Sequence, residues 1–387
     1  MSLYLVIWIV ICFFGIKDFL FRATYKVKNR EFKLLLIILL VMLTLRFGQG
    51  TDYFAYRYIY NRLSPDGFDF SIYSTVHGEI GYLILCNLFR YAKLPYEFFI
   101  ACTAVFQMLC FARFCKYFKI DTPFVLVLAY PTLYMTYFTS AIRQGIVAAV
   151  YLGILIPMLL EKKYKSYIFV TVLCSLIHSA SIVFIFPMVL KKIGKIKVAQ
   201  YGCVVSWIIG FAMTLPAVRE LVMSVGISGI NYYMKTGLSI SIVSVFERLF
   251  FLWVVSYFYF FINKAKKITE KYQTLYLIYL TSMSIYGVFL GYSNIASRMS
   301  GVMRFVELFL LIYAIRTMKF RNRLIIAGFF VLLESLMLVK NINSYIVQGN
   351  YDDAVTIATY SYVSIFNENR IYKIRHIESK YLAEKKG

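Results

Sequence analysis

Long, uninterrupted apolar runs recur from one end of the chain to the other, separated by short basic segments. A bilayer core about 30 Å thick takes about 20 mostly apolar residues in a helix. In lipid every backbone polar group must find its partner inside the protein, so only helices and closed barrels cross. The runs are continuous rather than alternating, which excludes a barrel. Composition agrees, because only 16% of the 387 residues are charged and 60% are hydrophobic. A soluble domain carries about 25% charged residues. The expectation is an all-α, polytopic integral membrane protein with about ten transmembrane helices. The spans are expected near residues 3–21, 32–47, 96–113, 124–138, 140–160, 198–215, 240–262, 273–290, 299–315 and 324–339.

A net charge of +23 would suggest nucleic acid in a soluble protein. Here the cations gather between apolar runs, as the positive-inside rule expects, so the partner is the lipid bilayer and not nucleic acid. Lys17, Arg22, Lys26, Lys28, Arg30 and Lys33 make the first connection cytoplasmic and place the N-terminus outside. Connections carrying Arg113, Lys116 and Lys119, then Lys162, Lys163 and Lys165, fall on the same side. So do those with Lys264, Lys266, Lys267 and Lys271, and with Arg316, Lys319, Arg321 and Arg323. The first run has neither a basic start nor a small-residue cleavage site and reads as a span, not a signal peptide. The seven cysteines form no CxxC and imply no zinc or disulfide framework. Residues 1–340 form one transmembrane domain with an outer loop at 48–95, and 341–387 form a polar tail.

Two stretches resist a simple crossing. Residues 166–190 are long enough for one span, but a single crossing would put Lys191, Lys192, Lys195 and Lys197 outside. A broken or re-entrant hairpin with its break near His178 keeps them cytoplasmic, provided protein or a wet cavity surrounds the break. Residues 77–94 are interrupted by Asn87, Arg90 and Lys93 and fit an amphipathic helix in the outer interface.

A charge at the bilayer centre costs about 2.5–3.5 kcal/mol on insertion scales, so misplaced charges invite a functional reading. The plain alternative is a long side chain at a helix end that reaches the headgroups. Arg46 closes the second span on the outer side, followed by Gly48, Gly50, Thr51 and Asp52. The glycines let the chain turn sharply. Asp52 is then a structural partner of Arg46, or a carboxylate that binds sugar hydroxyls or accepts a proton. Glu79 faces a polyhydroxylated ligand or simply complements a helix N-terminus. Arg143 opens an outward-facing helix, where the dipole disfavours a cation; beside free N–H groups it suits a diphosphate. His178 is a packing residue or a functional ionisable group. Arg298 and Arg304 flank the outer end of the ninth span and suit phosphate. Glu247 and Arg248, adjacent on a span, read as helix-end charges.

No P-loop, DxD pair, HExxH or Cys/His metal spacing occurs, so nucleotide hydrolysis and metal-dependent sugar transfer have no visible machinery. In their order and spacing, several segments resemble the EpsG family of Wzy-like polysaccharide polymerases. They are Arg46 with Gly50-Thr51-Asp52-Tyr53 and Tyr56; Glu79 with Gly81 and Tyr82; Ile142-Arg143-Gln144; Ile177-His178-Ser179; and Ser297-Arg298. The basic tail after Asn367 departs from that pattern.

The resemblance implies a bacterial inner- or plasma-membrane glycosyltransferase of GT-C-like architecture that needs no metal or other cofactor. Its substrates would be oligosaccharide repeat units on a polyprenyl diphosphate, and its product an O-antigen, capsule or exopolysaccharide. A flippase and a chain-length regulator are implied partners. Arg143 and Arg298, with Arg46 as a third, would stabilise the departing diphosphate. Asp52, Glu79 and His178 are candidates for the proton acceptor, with a carboxylate expected ahead of the histidine. Gln144 and Arg304 would join the substrate-binding set. Tyr53, Tyr56 and Tyr82 offer sugar-stacking faces, although interface belts explain most aromatic residues more plainly. A lipid-linked-glycan flippase or transporter would share the outward arginines and the broken helix. A membrane O-acyltransferase would use the histidine but gives the Gly50–Tyr53 segment no role.

Overall fold

The second apolar run begins its helix well ahead of residue 32, because the basic residues before it are themselves good helix formers. In the computed structural model, which describes residues 2–20, 24–76, 78–224 and 238–382, that helix spans Tyr25–Leu45. Arg22 and His77 lie outside the described residues. In chain order the helices are α1 Leu3–Leu20, α2 Tyr25–Leu45, α3 Tyr53–Arg62, α4 Phe70–Thr75, α5 Ile80–Tyr91 and α6 Tyr96–Tyr117. Then come α7 Phe124–Ala129, α8 Ile142–Val150, α9 Ile156–Leu160, α10 Tyr164–Ile177, α11 Ile185–Ile193, α12 Ile196–Ala212 and α13 Pro216–Ser224. The last are α14 Ile242–Lys264, α15 Glu270–Val288, α16 Ser293–Arg304, α17 Glu307–Thr317, α18 Phe320–Gln348, α19 Ile371–Ile374 and α20 Ser379–Leu382. Among the described residues the only extended pairing is isolated bridges.

Five helices are long and apolar enough to cross a membrane: α1, α6, the rod Ile142–Leu160, α14 and α18. The apolar helices also present exposed faces that are themselves apolar. On α2, Phe32, Leu35, Leu39, Met42 and Leu43 are buried, while Leu34, Ile37 and Val41 on the other face are exposed and equally apolar. α14 likewise exposes Phe246, Trp253, Tyr257 and Phe260. The chain is a helical membrane protein. Other expected spans are shorter or more polar: α2 carries Lys26, Lys28, Arg30 and Lys33 in its first turns. The stretch expected as a ninth span is interrupted at Phe305, between α16 and α17.

The chain divides into two compact units. The first comprises Met1–Pro157, Leu173–Ser179 and Met318–Gly387. In it α1 packs on α7 and α18, α2 on α6, and α6 on α8. α7 widens into a π-helix, Tyr130–Ser140, before α8 begins. Pro131 has no N–H to give, and the widened turns leave carbonyls to be satisfied by other elements. α18 supplies the donors: Asn341 Nδ2 bonds the Pro131 carbonyl at 2.6 Å, and the Tyr345 hydroxyl bonds that of Met135. The expected boundary of a polar tail at residue 341 therefore falls inside α18. Beyond it, residues 349–375 fold back over the turn after α2: the Phe47 N–H donates to Val363 O at 2.9 Å, and Arg46 bridges Ser364.

The second unit comprises Met158–Val172 and Ala180–Thr317. α12 and α15 approach so closely that a Cβ on Gly210 would fall 1.7 Å from the Gly287 carbonyl oxygen. α10 ends at Ile177, His178 is non-helical, and a 3-10 turn, Ser179–Phe184, leads into α11. The break thus falls on the histidine at which it was expected.

Candidate functional site

Gly48 and Gly50 both adopt left-handed backbone, φ +65° and +83°, which favours glycine. Space adds to the requirement at Gly50, where a Cβ would lie 2.8 Å from Ser140 Cα. The turn is latched there: the Thr51 N–H donates to Ser140 Oγ at 2.9 Å, and the two hydroxyls lie 2.9 Å apart. Thr51 Oγ1 also donates to Asp52 Oδ1 at 2.8 Å. Asp52, half-buried, stands at the N-cap position of α3 without capping it through its side chain, and acts electrostatically on the hydroxyl of Tyr56, one turn further along. Arg46 forms no ion pair with Asp52 among the described residues. It is buried within reach of Tyr4, Tyr53, Tyr96 and Tyr134, and donates to the Leu43 carbonyl at 2.5 Å.

Three residues past Ser140 is Arg143, the second residue of α8. The dipole penalty there is answered by a carboxylate rather than by open N–H groups: Nη1 donates to Glu79 Oε2. Its Nε donates to Tyr56 Oη at 3.1 Å. The guanidinium also lies over the rings of Tyr56 and Tyr82, 5.4 and 5.9 Å from their centroids. Tyr53, Tyr56 and Tyr82 are all buried, so they orient and enclose rather than present open faces. Gln144 is half-buried beside Arg143 on the same helix.

Glu79 is the N-cap residue of α5, the short helix expected in the outer interface. Its second oxygen, Oε1, accepts from the Ser179 N–H at 3.2 Å and the Ser179 hydroxyl at 3.4 Å. His178 Nδ1 stands 3.6 Å from the same oxygen, close for a charge contact but long for a hydrogen bond. Burial alone would raise the Glu79 carboxyl; the His178 ring, the Arg143 guanidinium and the Ser179 N–H outweigh it and hold the group down at about 2. Glu79 is therefore a fixed anion near neutral pH. His178 is buried, and its Nε2 has no partner among the described residues. A buried, unsatisfied imidazole nitrogen invites a hydrogen-bonding ligand.

The structure thus gathers Asp52, Tyr56, Glu79, Tyr82, Arg143 and His178 within the first unit. Arg298 and Arg304 belong to the second. Arg298 is exposed on α16. Arg304 is buried between Glu247 (2.8 Å) and Glu307 (2.6 Å), which makes Glu247 part of an ionic cluster rather than a helix-end charge. Sequence reasoning missed Arg375, whose contacts with the 48–51 turn come from a tail that pattern alone leaves blank.

These observations define a helical membrane protein in which the N-cap carboxylate of α5 meets an arginine at a helix start and a histidine at a helix break. A sequence model of the EpsG family matches residues 30–366, and the chain belongs to that family. No curated protein and no solved structure matches it.

Proposed function

We propose that this protein extends a bacterial surface polysaccharide by glycosyl transfer between repeat units carried on polyprenyl diphosphate, at the outer face of the plasma membrane. Membership of the EpsG family suggests a polymerase-like role. The observation that carries the chemistry is the Glu79–Arg143–His178 cluster. In the transfer, an acceptor hydroxyl oxygen bonds to the anomeric carbon of the donor's reducing-end sugar, and the bond from that carbon to the diphosphate oxygen breaks. The diphosphate takes the bonding pair. Arg143, held by Glu79 and Tyr56, is preorganised to meet that developing charge, the arrangement that lowers a barrier most.

The hydroxyl proton needs an acceptor. A carboxylate was the first expectation, but Glu79 is a poor base once Arg143, His178 and Ser179 hold it at about 2. His178 Nε2 is the better acceptor, with Glu79 facing Nδ1 and fixing the ring's orientation. Asp52 acts on Tyr56 and so on the seat of Arg143. A ten-span topology with the N-terminus outside and a GT-C-like arrangement accords with this reading. The cell's flippase would then deliver the lipid-linked units, and a regulator would set chain length.

The test is the glycan profile of a strain lacking this gene, complemented with wild-type sequence or Arg143→Ala. Loss of long chains with survival of one-unit products supports polymerisation. Lipid-linked units left on the cytoplasmic face, with nothing exported, would point to a flippase and remove the catalytic roles given above.

A further inference from the structure

We propose that Arg375, beyond the residues matched by the family model, is a positioning residue that sets the 48–52 turn for transfer; this rests on the function proposed above. Its guanidinium is buried and takes four backbone carbonyls at once. Nη1 donates to Gly48 O at 2.7 Å and Gly50 O at 2.8 Å, and Nη2 donates to Thr51 O at 2.9 Å. Nε donates to Gly349 O at 2.6 Å. The flat group lies over the rings of Phe54 and Tyr351, 5.1 and 5.4 Å from their centroids.

Three of the four acceptors belong to one turn. The turn with its two left-handed glycines aims the carbonyls of Gly48, Gly50 and Thr51 toward a common point, where like dipoles repel one another unless a cation sits there. Arg375 is that cation. Its segment is itself anchored, since the Asp352 N–H donates to Ile374 O at 3.0 Å and the His376 N–H to Asn350 O at 2.7 Å. Ile371 fills the space that a side chain on Gly48 would need. From the turn the constraint passes along two short paths. One is covalent, to Asp52 and Tyr56 on α3; the other runs through Thr51 to Ser140, three residues before Arg143. The first path ends on Tyr56, which holds the Arg143 guanidinium, and the second ends on the chain three residues before Arg143. A planar fork of five donors can satisfy four carbonyls in this arrangement, and a lysine ammonium cannot.

The test uses the full-length protein in detergent or nanodiscs, with Arg375→Ala and Arg375→Lys. Hydrogen exchange reads the turn itself: peptides covering 46–56 should lose protection in both variants while peptides from α6 stay as in wild type. Transfer with lipid-linked repeat units should slow about 100-fold in Arg375→Ala with KM nearly unchanged, as for a misplaced catalytic group. Guanidinium ion at millimolar concentration should restore part of the rate to Arg375→Ala but not to Arg375→Lys, whose side chain occupies the space. Wild-type exchange in 46–56, or wild-type turnover in Arg375→Ala, overturns the proposal. Loss of protection throughout the protein overturns it as well, because Arg375 would then support the fold generally. Wild-type protein that extends no chains sinks the polymerase reading, and the exchange experiment still decides whether Arg375 holds the turn.

Discussion

Two of the arginine–carboxylate clusters among the described residues are finished differently. In the second unit Arg304 is enclosed by Glu247 and Glu307, and all three side chains are about nine-tenths buried. In the first unit Arg143 meets one carboxylate and keeps 17% of its side chain exposed, and the same carboxylate faces His178, whose Nε2 is unsatisfied among the described residues. A cation between two anions in a sealed site has its interactions made already, whereas one anion with a spare histidine leaves capacity for a ligand. The difference predicts that one cluster holds the protein together and the other works on a substrate.

The comparison breaks or sharpens most at the arginines. Arg143→Ala should cut chain extension about 10²–10³-fold, the usual loss for a preorganised stabilising donor. Because the pair is part-exposed, the same change should cost about 1 kcal/mol or less of stability. Arg304→Ala should do the reverse, breaking a buried ionic cluster and costing about 3–5 kcal/mol. Transfer rates and thermal unfolding of the two purified variants check both, and a stability loss confined to Arg143→Ala would invert the assignment.

Next comes His178→Ala. Loss of a general base should slow transfer by about 10²–10⁴-fold with KM nearly unchanged. Wild-type turnover in that variant would return the role to a carboxylate. Asp52→Asn should slow turnover less than this and leave binding of the lipid-linked unit nearly intact, as competition with unreactive carrier would show.

The smallest effect is on stability against pH. The folded-state group of Glu79 is depressed, so its contribution is full above its ordinary value of 4.5 and is lost as pH falls toward about 2. In Arg143→Ala the depression shrinks, so the contribution should be smaller and its loss, still beginning near 4.5, should end at higher pH. Unfolding temperatures followed downward from neutrality should show that displacement, and coincident curves would mean that Arg143 does little to hold the anion.

Much of this was legible in the sequence because membrane helices advertise themselves through solvent preference alone. The apolar runs located α1, α6 and α14, and the lysines after residue 190 forced a break that the structure puts at His178. Arg143 drew notice because its position on a helix is electrostatically wrong until a partner is supplied. The partner itself was not legible. Glu79 and Arg143 are 64 residues apart, and nothing local in either segment says which cation meets which anion. The tail was opaque for a related reason: Arg375 acts on backbone carbonyls, which every residue has, so no side-chain pattern in the turn announces it. The expected boundary at 341 failed because Asn341 is polar for the sake of a carbonyl on another helix, not for water.

That last contact also bears on how the protein is made. The carbonyls of Pro131 and Met135 are synthesised 210 residues before the Asn341 and Tyr345 side chains that satisfy them. Until α18 emerges from the ribosome, the widened turns leading to Ser140 lack the donors that settle them, and the latch for Thr51 has no fixed seat. A chain that ends before α18 has no Asn341 or Tyr345 to offer the Pro131 and Met135 carbonyls, so these turns are completed only when the polypeptide is nearly whole.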